Sequence, residues 1–252
     1  MKNLTTVLAL LVFCMAKVPA QENIKVLMVL TSHDELGTTG KKTGFWIEEF
    51  ATPYYFLKDK GVDITIATPK GGQAPIDPKS NDPSFQTEST IRYFKNNETQ
   101  NKIKNTLKLS SVKEEQYDAV FYPGGHGPLW DLANDKHSIA LLEFFNKSKK
   151  PMALICHAPS ALKYVKDENG NPLVKGKKVA GFSNSEEEAV MLTKVIPFLV
   201  EDMLTDNGGI YQKGPDWSSF VVKEGNLITG QNPQSSEEAV ALLYNMVVEA
   251  KR

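Results

Sequence analysis

The sequence predicts an α/β fold in which a mostly parallel sheet carries helices on both faces. Three observations predict it. Short apolar runs recur along the chain, helical patterns separate them, and the runs are apolar nearly throughout, as strands covered on both faces must be. The composition agrees: 252 residues, 41% hydrophobic and 23% charged, which excludes disordered, collagenous and low-complexity classes.

The elements follow in order. Ile24 to Leu30 (IKVLMVL) reads as a first buried strand, and Phe45 to Lys60 as a helix closed by Gly61. Val62 to Thr68 (VDITIAT) is a second strand. Residues 70–113 then break the alternation. Pro, Gly, Asn, Asp and Ser crowd Gly71 to Ser84, and Phe94 to Leu109 has the pattern of a polar helix. The segment is therefore expected as an insertion over one sheet edge, either part of a lid over the strand ends or a plain surface excursion. Asp118 to Tyr122 (DAVFY) is the third strand and runs into Pro123-Gly124-Gly125-His126-Gly127. A helix over Ser138 to Lys147 precedes the strand Met152 to Ile155 (MALI), and Val179 to Phe182 opens another unit with a helix over Glu186 to Leu204. Ser219 to Lys223, Asn226 to Thr229 and a final helix Ser236 to Ala250 complete the chain. No internal repeat or linker divides it, so one domain over 21–252 is expected.

The first twenty residues have a different character. A basic start, Met1-Lys2-Asn3, precedes the apolar run Leu4 to Ala16, and Lys17-Val18-Pro19-Ala20 ends in a small residue before Gln21-Glu22. This is the pattern of a secretory signal peptide cleaved after Ala20, too short for a bilayer-spanning anchor. Export to a periplasmic or external compartment is the expectation. Phe13 before Cys14 is too bulky for a lipid-attachment box.

Charge excludes further classes. With 29 basic and 30 acidic side chains the net charge is −1. It becomes −3 once Lys2 and Lys17 leave with the signal, from 27 basic and 30 acidic residues. Neither value offers a footprint for nucleic acid. Removal of the signal also takes Cys14, leaving Cys156 as a single cysteine that cannot form a disulfide within the chain. It is either an inert core thiol or a reactive one, and its neighbours decide.

Cys156 follows the apolar strand MALI directly and precedes His157-Ala158-Pro159-Ser160-Ala161-Leu162, where Pro159 suits a first helical turn. A strand-to-helix turn of this kind is a nucleophile elbow. Helix amides and the adjacent imidazole are expected to lower the thiol pKa. Glu49 is a second signal. With Phe45 at zero and 100° per residue, Trp46, Phe50, Pro53, Phe56 and Leu57 form an apolar arc, and Glu49 falls inside it at about 40° while Glu48 falls outside at about 300°. A carboxyl there is costly to ionise, so its pKa should rise, unless it reaches water at the stripe edge.

Two further clusters stand out. In Ser185-Glu186-Glu187-Glu188, Ser185 and Glu188 have capping-box spacing, and Glu186 and Glu187 gain from a helix N-terminus whatever else they do. A Cys-His pair nevertheless needs a third group to hold the imidazole. Gly124-Gly125-His126-Gly127 allows backbone amides to approach a reacting oxygen, and His126 is either a ligand contact or a polar loop residue. No zinc-protease, paired CxxC, P-loop or dinucleotide motif is present, and His33 and His137 have no spacing that marks a metal site.

Taken together, these residues resemble the DJ-1/PfpI superfamily, and within it the glutathione-independent glyoxalase (glyoxalase III) and heat-shock chaperone branch. The matching segments are Thr31-Ser32, Lys42-Thr43-Gly44 with Glu49, Gly124 to Gly127, Ala153 to Pro159, Gly181-Phe182-Ser183 with Glu187, Leu227 to Gly230, and Asn232-Pro233. The resemblance implies a flavodoxin-like fold and a homodimer. It implies that Cys156 is the nucleophile, His157 its neighbour, Glu187 the third triad member and Glu49 the carboxylic acid beside the thiol. Gly125, with Gly124 and His126, is implied to bind the substrate oxygen, together with the His157 amide.

The chemistry so implied requires neither metal nor cofactor. Cys156 adds to the aldehyde of a 2-oxoaldehyde such as methylglyoxal, a proton moves between the two carbons, and water releases lactate from a thioester. Repair of glycated side chains, peptidase activity, holdase chaperoning and thiol oxidation sensing are the family's alternatives. Class I glutamine amidotransferases share the fold but place the triad histidine well downstream of the cysteine, whereas here His157 adjoins Cys156.

Overall fold

A computed structural model describes residues 23–252. The signal peptide read over residues 1–20, with Cys14, lies outside the described residues. The elements are β1 (Lys25–Val29), α1 (Ile47–Asp59), β2 (Asp63–Thr68), α2 (Glu88–Lys95), α3 (Asn97–Lys104), β3 (Leu107–Lys108), β4 (Ala119–Tyr122) and α4 (Lys136–Lys147). They continue with β5 (Met152–Ile155), β6 (Lys178–Val179), α5 (Asn184–Ala189), α6 (Val200–Asp206), β7 (Ile210–Tyr211), β8 (Val221–Glu224), β9 (Leu227–Gly230) and α7 (Ser236–Ala250).

Seven strands form one sheet in the order β3-β2-β1-β4-β5-β9-β8, parallel except for the β9–β8 pair. Strands β6 and β7 pair separately. The strand pleat divides the core in two. Val26 and Met28 of β1, Phe121 of β4 and Ile155 of β5 face a layer closed by α1 and α7. Leu27, Val29, Val120, Tyr122 and Leu154 face the opposite layer, which Leu142 and Phe145 of α4 and Leu204 of α6 complete. This is the expected doubly wound arrangement. Chain order reverses at β1, which has β2 on one side and β4 on the other, so the loops after β1, β4 and β5 meet at the crevice where such sheets hold ligands.

Several elements depart from the sequence reading. Phe94 to Leu109 is not one helix: Asn96 ends α2 and caps α3 through its side chain, and the chain then enters the edge strand β3 beside β2. The insertion thus extends the sheet as well as covering its edge. The helix expected over Glu186 to Leu204 breaks into α5 and α6, with Met191 between them at φ +60°. Ile47 opens α1 two residues later than expected, and Glu48, placed outside its core stripe, is partly buried instead. After β5 the helix expected from Pro159 is a short 3-10 segment, Ala158–Leu162.

Candidate active site

The site is built around one strained residue. Cys156, 3% exposed, directly follows β5 with φ +59°, a left-handed conformation that costs a non-glycine residue about 1–3 kcal/mol. The backbone is held on both sides: its N–H donates to the Gly230 carbonyl at 2.9 Å, and its own carbonyl accepts the Phe182 N–H at 2.8 Å. The elbow expected from sequence is present. The expected lowering of the thiol pKa is not. Burial pushes the Cys156 thiol well up, and the adjoining Glu49 carboxyl pushes it further, against a hydrogen bond from the Gly125 N–H. The short turn after Cys156 has too little macrodipole to outweigh that burial.

His157 supplies the missing base. Its Nδ1 lies 3.3 Å from Cys156 Sγ, and its Nε2 lies 2.6 Å from Glu187 Oε2. The second Glu187 oxygen, Oε1, lies 3.0 Å from His126 Nε2. Burial alone would raise the Glu187 carboxyl, but the two imidazoles hold it far below the usual carboxylate range. An ionised carboxylate only accepts, so both Nε2 atoms carry hydrogens and the Nδ1 lone pair of His157 faces the thiol. Burial, then the neighbouring His126, lowers the His157 pKa against the pull of Glu187, so the ring is neutral near pH 7. The His157 ring touches two others, both tilted against it, with His126 at 4.1 Å and Phe182 at 4.2 Å between centroids.

Glu49 enters from α1, fully buried, and Gly124 donates its N–H to Oε2 at 2.7 Å. The other oxygen, Oε1, has no hydrogen-bond partner, and the carboxyl lies beside the Cys156 thiol. Burial raises its pKa well above the ordinary carboxyl value and so favours the protonated form, as its place in the apolar stripe predicts.

The glycine loop is confirmed as a close approach and partly reassigned. A Cβ on Gly124 would lie 2.7 Å from the Ile155 carbonyl and 2.8 Å from both Glu49 Oε2 and the His157 nitrogen. One on Gly125, at φ +87°, would lie 2.5 Å from the Gly44 carbonyl and from the Trp46 nitrogen. The Gly124 N–H is committed to Glu49, so it is not the substrate-oxygen donor expected from sequence. Gly125 points its N–H at sulfur, and the His157 N–H has no acceptor among the described residues. His126 binds Glu187 and also lines the site cavity.

The acidic cluster resolves into distinct roles. The capping box is Ser183 with Glu186, not Ser185 with Glu188, because α5 begins at Asn184. Glu186, fully buried, accepts the Ser183 N–H and hydroxyl on one oxygen, and the Trp217 N–H at 2.9 Å and Asn232 Nδ2 at 2.8 Å on the other. It ties loops together, while its neighbour Glu187 faces the imidazoles.

A cavity of about 1060 Å³ opens over the thiol, lined by Glu49, Gly125, His126, Cys156 and His157. Phe85 and neighbouring residues of the insertion form part of its wall, so that segment does reach the site. Phe182, tilted against the His157 ring, is a site residue to which the sequence pattern assigns no role. Among the described residues, one trio has ligand atoms mutually within metal-binding range: His126, His157 and Glu187, within 4.8 Å. A cation there would displace the Nε2 hydrogens and dismantle the relay to Cys156.

Comparison with known proteins gives the same picture. The DJ-1/PfpI family model matches residues 42–245. Glyoxalase 3 of Candida albicans is 31% identical over 223 residues, spanning 84% of this chain and 94% of that protein. The crystal structure of glyoxalase III from the same organism aligns at TM-score 0.82 with 29% identity, covering 88% of this chain and 96% of that one. The Francisella tularensis Rapid Encystment Protein aligns at TM-score 0.85 with 37% identity, covering 89% and 99% of the two chains. With its elbow cysteine, neighbouring histidine and buried carboxyls set at the ends of a parallel sheet, this chain belongs to the DJ-1/PfpI family.

Proposed function

We propose that this protein is a glutathione-independent glyoxalase converting methylglyoxal and similar 2-oxoaldehydes to 2-hydroxy acids. The observation that carries the reading is the convergence on one thiol of the His157 imidazole, with Nδ1 at 3.3 Å, and the fully buried Glu49 carboxyl. The glyoxalase relatives, matched over most of their length, support it.

The geometry suits each step. His157 Nδ1 takes the Cys156 proton as sulfur adds to the aldehyde carbon, and returns it to the new oxyanion beside the Gly125 and His157 amides. Now neutral again, His157 removes the carbon-bound hydrogen of the hemithioacetal while Glu49 protonates the ketone oxygen, giving an enediol. The imidazolium protonates the second carbon and the hydroxyl on the sulfur-bearing carbon gives its proton to the Glu49 carboxylate, leaving a thioester. Water then releases lactate and the free thiol, so the sum is methylglyoxal plus water to lactic acid.

The test is incubation of the mature chain with methylglyoxal without glutathione, following lactate by proton NMR. Lactate from wild type, and from neither Cys156→Ala nor Glu49→Gln, is expected. Absence of lactate from wild type overturns the reading. Export by the first twenty residues and a homodimer belong to the same proposal. Mass spectrometry of exported protein should find a chain beginning at Gln21, and light scattering should find twice the chain mass.

A further inference from the structure

The cavity is far larger than the proposed substrate requires. Methylglyoxal has five heavy atoms, whereas about 1060 Å³ is at the upper end of sites that enclose drug-sized ligands. The excess space has a specific lining. Three of the chain's exposed large apolar side chains, Phe85 (42%), Met191 (85%) and Trp217 (43%), line this one cavity.

Their backbones carry a second, independent observation. Four described non-glycine residues have positive φ, and three of them line the cavity: Cys156, Met191 and Trp217. Such strain persists only where the surroundings impose it, and it concentrates at ligand clamps and active sites. Here the surroundings are visible. The Trp217 N–H is held by the buried Glu186 carboxylate at 2.9 Å, and the Met191 N–H by the Glu188 carbonyl at 2.9 Å. The rim side chains are presented by a fixed backbone.

Aromatic contacts run from this rim to the chemistry. Trp217 meets Phe182 edge-on at 5.9 Å between centroids, and Phe182 lies against His157 at 4.2 Å. A second pair, Trp46 and Phe85, adds another edge contact at 5.2 Å on the cavity wall. Ring edges and faces of this kind favour a flat aromatic guest over a small polar one.

Resting on the glyoxalase reading, we infer that Trp217, Phe85 and Met191 form a subsite for an aromatic group on the ketone carbon, so that arylglyoxals are the preferred substrate class. The arene sits against the rim while the aldehyde reaches Cys156. The covalent steps are those given above, with aryl in place of methyl, and the product is a 2-aryl-2-hydroxy acid.

The test compares phenylglyoxal with methylglyoxal on the mature chain. The kcat/KM for phenylglyoxal is expected to exceed that for methylglyoxal by about tenfold or more. Trp217→Ala should cut this ratio about tenfold, chiefly through KM for phenylglyoxal, and Trp217→Phe should restore most of it. A binding arm runs independently of turnover. In Cys156→Ala, phenylglyoxylate should quench tryptophan fluorescence at concentrations about tenfold below those pyruvate needs, and the additional Trp217→Ala change should abolish that preference. Turnover of methylglyoxal without preference for phenylglyoxal overturns the subsite and leaves the glyoxalase reading standing. If neither aldehyde reacts, that reading fails, and the binding arm still decides the subsite. Equal binding of the two acids, or a preference indifferent to Trp217, overturns it and gives the rim to another occupant, such as a second copy of the chain.

Discussion

Oε2 of Glu187 lies 2.6 Å from Nε2 of His157, and this contact decides which ring nitrogen faces the thiol. The carboxylate accepts on Oε2 from His157 and on Oε1 from His126, so neither ring can present Nε2 as a base. His157 is left with Nδ1 free, 3.3 Å from sulfur. Catalytic competence therefore depends on a hydrogen-bond acceptor that never touches the substrate.

Glu187→Gln tests this dependence while keeping the side chain's size. An amide has one acceptor and one donor end, so it cannot accept from both imidazoles, and one ring must change tautomer. By analogy with loss of the carboxylate in hydrolase triads, kcat/KM for 2-oxoaldehydes should fall about 10²–10⁴-fold. The fold should be retained by circular dichroism. Activity within threefold of wild type would show that Glu187 does not set the tautomer.

The thiol makes a second prediction, because its pKa is raised and not lowered. Burial is the larger cause and Glu49 the next, so removing the carboxyl removes only part of the shift. The iodoacetamide reaction of wild type should therefore inflect at a pH above that of an ordinary thiol. In Glu49→Gln the inflection should move down, even though turnover is lost. A wild-type inflection below the ordinary thiol range contradicts the raised pKa.

That reversal shows where the sequence was legible and where it was not. The apolar run into Cys156, Glu49 within an aromatic stripe and the glycines after DAVFY are local patterns, and each has its expected place in the structure. The thiol pKa is not local. It depends on how deeply the elbow is buried and on Glu49, more than a hundred residues away in the chain. The capping residue is not decided locally, because Ser183 and Ser185 have the same spacing to a glutamate and only the start of α5 chooses between them. No periodicity marks Trp217 or Met191: the Trp217 N–H is held by Glu186 of α5, distant in the chain, and Met191 sits in the turn that ends α5.

Gly124 yields a stability prediction. An alanine there places Cβ 2.7 Å from the Ile155 carbonyl and 2.8 Å from the His157 nitrogen, backbone atoms that cannot rotate away. Gly124→Ala should lose about 3 kcal/mol or more in urea unfolding and should also displace Glu49. Gly170→Ala is the control: φ is +79° but nothing lies within 4 Å, so only the left-handed backbone is taxed, by about 1–2 kcal/mol. Equal losses in the two variants would mean that the loop relaxes and the close approach is not required.

Glu48 gives the site a pH-dependent stability. It sits beside Glu49 at the start of α1, lines the same cavity and accepts a hydrogen bond from Ser236 at 3.0 Å. Burial raises its pKa to about 7, against hydrogen bonds from Thr52 and Ser236 that lower it. The folded value exceeds the unfolded one, so the native state holds the proton longer. The associated stability is full below pH 4.5 and is lost as pH rises towards 7. Glu49 slopes the same way, whereas Glu187, with its lowered pKa, gives stability that is lost only as pH falls below its unfolded value. Between pH 4.5 and 7 the wild-type Tm should therefore decline, apart from contributions of other groups. Glu48→Gln, which keeps a hydrogen-bond acceptor for Ser236, should decline less steeply and be the more stable of the two at pH 8. Thermal melts across that range decide the matter, and parallel curves for the two proteins would mean that Glu48 titrates like an ordinary surface carboxyl.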